Sequence, residues 1–98
     1  MSDGFRTLAQ LREVVRGMER DLGLDVLLPV ERDVLYAVGV LTEGGKLEVR
    51  TEELAAHGLL ASVPPSTLHR ALRKLIGAGF VAHPEGRKAG MFVLVKGR

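Results

Sequence analysis

The stretch "PPSTLHRALRKLIGAG", residues 64–79, constrains this chain more than any other. A proline biases the residue before it away from helical dihedrals, so Pro64 stays extended and a helix opens at Pro65. The missing N–H of Pro65 costs nothing in a first helical turn. Gly79 supplies the stop. Between these limits Leu68, Ala71, Leu72, Leu75 and Ile76 repeat at helical spacing and predict one apolar face. At 100° per residue Ser66, Arg70, Arg73 and Gly77 point the opposite way, flanked by Thr67, His69 and Lys74. The helix is therefore half core and half a basic, hydroxyl-bearing surface.

Charge is distributed to match. The chain has 14 Lys and Arg against 12 Asp and Glu, a net +2. Residues 1–30 carry 4 basic and 5 acidic groups, residues 31–61 carry 3 and 6, and residues 62–98 carry 7 and 1. The last third alone is +6, and residues 62–81 hold no acid. Such asymmetry points to a polyanionic partner, against the plainer reading of a solubilising face.

The other elements are read around this helix. The 98 residues suffice for one small domain, for which dimerisation often adds missing burial. Residues 5–22 predict an amphipathic helix with Leu8, Leu11, Val15, Met18 and Leu22 at spacings of 3 and 4. Two readings of that seam stand side by side: packing on its own domain, or on a second copy. Residues 1–28 form this helix and a linker, and residues 29–98 form the main domain. A second helix opens at Pro29, buries Val30, Val34, Leu35, Val38 and Leu41, and ends at Gly44-Gly45. "KLEVR" is a short strand with Leu47 and Val49 on one side. Thr51 is the expected N-cap of a third helix burying Leu54, Ala55 and Leu59, with Leu60 less certain to join them. After Gly79, residues 80–82 and 91–95 form a hairpin around the turn "HPEGRKAG".

The expected class is thus mainly α with a small β-hairpin. The order of helix, short strand, two helices and hairpin is that of a winged helix-turn-helix. "PSTLHRALRKLIGAGFV" resembles the recognition helix and first wing strand of MarR-like bacterial transcriptional regulators. The matching residues are Pro65, Ser66, Thr67, Leu68, Arg70, Leu72, Leu75, Gly79, Phe80 and Val81, and "TEELAA" resembles the start of the preceding helix. The resemblance covers about residues 29–95. It departs at Pro64, where the family has a hydroxyl cap, and at "AHGLLASV", a longer turn than usual. The sequence shows no counterpart of the C-terminal helices that dimerise full-length MarR proteins, so if the chain dimerises, residues 5–22 are the remaining obvious element.

The resemblance implies sequence-specific binding of double-stranded DNA by a small transcriptional regulator, and the heptad spacing of residues 5–22 with the small size of the chain adds the expectation of a homodimer. A helix of ~14 residues is ~21 Å long and fits a major groove ~12 Å wide. Arg70, then Arg73, suit guanine O6 and N7; Ser66 and Thr67 suit phosphate or a base edge; His69 flanks them and Lys74 suits phosphate. Arg87 and Lys88 would lie on the wing, against the minor groove or adjacent backbone. The same basic face would serve a winged-helix module that binds an acidic protein surface, the competing reading.

Other chemistries find little support. His57, His69 and His83 share no metal-binding spacing, and no glycine-rich phosphate loop follows a strand, so neither an enzyme nor a cofactor is expected. One Tyr and three Phe offer few stacking platforms for RNA. With no cysteine, no signal-like start and no membrane-length apolar run, a cytoplasmic protein is expected. No small-molecule effector is named by the sequence.

Overall fold

The computed structural model of the chain describes residues 2–43, 47–85 and 90–95. Among these described residues four helices and three strands follow in the order α1 (Ser2–Asp21), α2 (Pro29–Leu41), β1 (Val49–Arg50), α3 (Thr51–Ala56), α4 (Pro65–Gly77), β2 (Val81–Ala82) and β3 (Met91–Leu94). Short 3₁₀ turns at Leu24–Val26 and Gly58–Leu60 join α1 to α2 and α3 to α4. The protein is mainly helical, with a three-stranded antiparallel sheet in the order β1-β3-β2.

Helix α4 has the ends its sequence dictates. The Pro64 carbonyl accepts the N–H of Leu68 at 3.0 Å, and no side chain caps the N-terminus. At the far end Gly79 takes φ 85°. Its N–H goes to the Ile76 carbonyl at 3.1 Å, and the Phe80 N–H goes to the Leu75 carbonyl at 3.0 Å. This pair of bonds is the Schellman stop, which needs a left-handed residue that glycine supplies without strain. The inner residues Leu68, Ala71, Leu72 and Leu75 join Val34, Leu35, Ala37 and Val38 of α2 in one core with Val49, Leu54, Leu60, Phe80, Val81 and Phe92.

Several expectations need correcting. The hairpin is the larger part of a three-stranded sheet: β3 also pairs with β1, Val49 opposite Phe92, while Val81 lies opposite Leu94. Leu47 is 70% exposed and does not share the burial of Val49, because the ladder begins only at Val49. Arg50 takes the cap position of α3, its N–H bonded to Glu53 Oε1 at 2.8 Å. Thr51 instead gives its N–H to the Gly90 carbonyl at 3.0 Å, tying α3 to the entrance of β3. Leu60 is 1% exposed and Leu59 47%, and Ala55 is exposed. The 3₁₀ turn after His57 shifts the side-chain phase, so Leu60 rather than Leu59 meets the core. Helix α2 ends at Leu41, with Thr42 at the cap; Gly44 and Gly45 lie outside the described residues. Leu24 and Leu27, in the stretch read as a linker, belong to the core.

Helix α1 is held to the rest of the protein at its C-terminal end. Glu19 is buried and accepts a hydrogen bond from the Tyr36 hydroxyl. Arg32 lies 3.6 Å from Glu19 and also donates to the carbonyls of Leu27 (2.7 Å) and Leu24 (3.3 Å). One acid thus joins α1, the 3₁₀ turn and α2. The phenol of Tyr36 is pushed up to about 12, first by burial, then by the Glu19 hydrogen bond and charge. Arg32 opposes the shift and Asp33 adds to it.

Unfolded tyrosine ionises near pH 10, so this contact stabilises the fold fully below that pH and is lost as pH rises toward 12. Tyr36 is the chain's one tyrosine, so ultraviolet titration of tyrosinate reads it alone. The native midpoint should fall well above 10, and Tyr36→Phe should flatten the alkaline fall in stability. A native midpoint near 10 would contradict the contact.

Candidate nucleic-acid interface

The side of α4 turned away from the core carries the residues expected there. Ser66, His69, Arg70, Arg73 and Lys74 are exposed, and Thr67 is half-buried. Thr67 looks partly inward and gives Arg70 a hold: Arg70 Nη2 donates to its hydroxyl at 3.4 Å. That contact lies one helical turn along α4 and inclines the guanidinium toward the helix start.

Lys74 is less free than its sequence position implies. Its Nζ lies 3.8 Å from Glu31 Oε1, an oxygen that also accepts the Leu28 N–H at 2.8 Å. Glu31 is buried, so its charge is poorly screened and answers part of the lysine's. Lys74 therefore braces α4 against the start of α2. Arg87 and Lys88 lie outside the described residues.

A cleft of about 220 Å³ opens between α4 and the sheet, lined by Thr51, His69, Arg73 and His83 over a floor that includes Leu72 and Phe92. His69 and Arg73 are four residues apart on α4 and so share a side of it. His83 follows β2. Its Nδ1 is 3.1 Å from the Met91 carbonyl, and its ring lies 5.2 Å from that of Phe92. A carbonyl only accepts, so Nδ1 carries the proton in this bond and leaves Nε2 for other partners. Among the described residues no acid lines this cleft. Arg73 is the fixed positive charge on this lining, and each histidine could donate to an anion through Nε2 only as imidazolium or as the Nε2–H tautomer.

Sequence reasoning named His69 and Arg73 but did not bring them together with Thr51 and His83. Only β3, pairing with both β1 and β2, sets those positions around one cleft. His57 is spent locally, its Nδ1 accepting the Leu59 N–H at 3.1 Å. Among the described residues no three His, Cys, Asp or Glu gather as a metal site requires.

The seam of α1 is uncovered. Leu8, Leu11, Val15, Met18 and Leu22 are 41–63% exposed, with Phe5 and Val14 exposed beside them. Of the two readings of this helix, packing of the seam on its own domain is not what the structure has. Among the described residues no helix is long and apolar enough to cross a membrane. No family model matches the chain, and neither a curated protein nor a solved structure does.

Proposed function

We propose that this chain is a winged helix-turn-helix protein that binds double-stranded DNA sequence-specifically, as a small transcriptional regulator. The observation that carries the reading is the junction of two features. An acid-free, exposed helix face lies beside a cleft, formed with the sheet, whose lining carries Arg73 and no acid among the described residues. On this reading α3 and α4 are the helix-turn-helix, α4 enters the major groove, and β2 and β3 are the wing.

The duplex backbone that separates major from minor groove would then run between α4 and the wing, over the cleft. Arg73 would face phosphate there and Thr51 would add a hydroxyl, with His83 joining them only as imidazolium, since its Nδ1 proton is already given to Met91. This moves Arg73 from base reading to positioning. Arg70, with Ser66 and Thr67 near the helix start, remains the reader of base edges. Lys74, already paired with Glu31, contributes less than its charge implies. The exposed seam of α1 supports a second element of the proposal, a homodimer. Its two-fold symmetry would be matched by a palindromic site.

The test is binding of a random-sequence duplex across a salt series, read by fluorescence anisotropy. DNA binding releases counterions, so log affinity should fall linearly with log salt, with a slope of about −0.9 for each phosphate met. Nonspecific dissociation constants of roughly 10⁻⁴–10⁻⁶ M at physiological salt are expected. No binding even at low salt would instead favour the basic face as a protein-docking surface.

A further inference from the structure

A second apolar feature adjoins the α1 seam. A groove of about 480 Å³ lies between the base of α1, α2 and β3, walled by Leu22, Leu35, Tyr36, Val40, Phe80 and Leu94. Leu22, Val40 and Leu94 on its rim are exposed. Leu22 is thus both the last residue of the seam and a wall of the groove, so the two make one continuous apolar surface. We infer that the occupant of this groove is the N-terminal half of α1 from a second copy of the chain, the two α1 helices running antiparallel.

Three observations select that occupant. First, the seam is short. Two heptads fall below the three to four that sustain an isolated coiled coil, and stable interfaces remove roughly 800 Å² per partner. The pair must therefore draw on more apolar surface than the seam.

Second, direction decides whether it can. In an antiparallel pair the second copy's Phe5 and Leu8 come opposite Leu22, beside the groove. In a parallel pair Leu22 meets Leu22 and both grooves stay open. The antiparallel pair covers both features twice, once for each copy, as a closed two-fold interface requires.

Third, the charges agree. Glu43 stands on the groove lining, and Arg6 is exposed beside Phe5 on the incoming helix. An arginine at the rim can meet the acid while the phenyl ring enters the apolar space.

This inference rests on the homodimer reading, and cysteine cross-linking separates the two. The chain has no cysteine, so introduced thiols report without interference. Phe5 lies ~25 Å along α1 from Leu22, and a disulfide needs Cα atoms within about 7 Å. A bond between Phe5→Cys and Val40→Cys in one doubly substituted chain is therefore intermolecular. Mild oxidation should convert most of this variant to covalent dimer, whereas Phe5→Cys alone should remain monomeric on a non-reducing gel. Leu8→Cys with Leu94→Cys is a second pair at exposed positions, to be used if the first perturbs the fold.

Efficient cross-linking of Phe5→Cys to itself would establish a parallel pair and overturn the inference while leaving the homodimer standing. A dimer by sedimentation with neither double variant cross-linking would overturn it likewise. A wild-type chain that sediments as a monomer at tens of micromolar would remove the homodimer and the inference together.

Discussion

Leu75→Ala should lower the free energy of unfolding by about 2–5 kcal/mol, the range for a buried leucine whose surroundings cannot collapse fully. Leu75 is 0% exposed. It lies on the inner face of α4 and its carbonyl accepts the Phe80 N–H, so it stands where helix, helix stop and sheet meet. The partners around it come from different elements and cannot all move into the space. The measurement is urea unfolding, where the midpoint should fall while the slope stays the same. A loss below 1 kcal/mol would mean that the inner face of α4 is not the centre of this core.

Arg70→Ala should weaken binding to the preferred duplex by about 1–3 kcal/mol and blur the base preference at one position, with the fold intact. The residue is exposed and its one described bond is to the neighbouring Thr67 hydroxyl, so the fold does not depend on it. Arg70→Lys should not restore the preference, because a point charge cannot present the two parallel donors that guanine accepts. Lys88→Ala should behave differently, weakening all sequences alike and flattening the salt slope by about one unit. The preferred duplex is first obtained by selection from random DNA, then compared with a scrambled one. If Arg70→Ala weakened both equally, Arg70 would be a phosphate contact and not a reader.

Much of this was legible in residues 64–79. Pro65 and Gly79 bound α4 at Pro65–Gly77, and the 3.6-residue period assigned its inner and outer faces. These are local effects, fixed by backbone sterics within a few residues, and sequence states them directly. The seam of α1 was legible for the same reason, although only tertiary structure could decide whether its own domain covered it.

What escaped depends on distant pairings. The strand at Val49 was legible, but nothing near it announces Phe92 as its partner, so its pairing with the hairpin and the exposure of Leu47 were hidden. Thr51 has the right chemistry for a cap, but the helix starts one residue early, with Arg50 as the extended cap residue and Thr51 donating to the Gly90 carbonyl. The Glu31–Lys74 pair and the Glu19–Arg32–Tyr36 cluster form between different helices, so counting charges along the chain did not reveal them. The cleft beside α4 also depended on distant pairing: His83 reaches it only after β2 and β3 pair.

The most direct test of the DNA-binding face is to map it residue by residue. Backbone amide shifts of the isotopically labelled protein would be followed while a duplex is added. Movement is expected along residues 65–74 of α4 and around Thr51, His83 and Met91, with little along α1. Perturbation confined to other surfaces, or none at duplex concentrations that saturate a low-salt binding curve, would contradict DNA binding by that face.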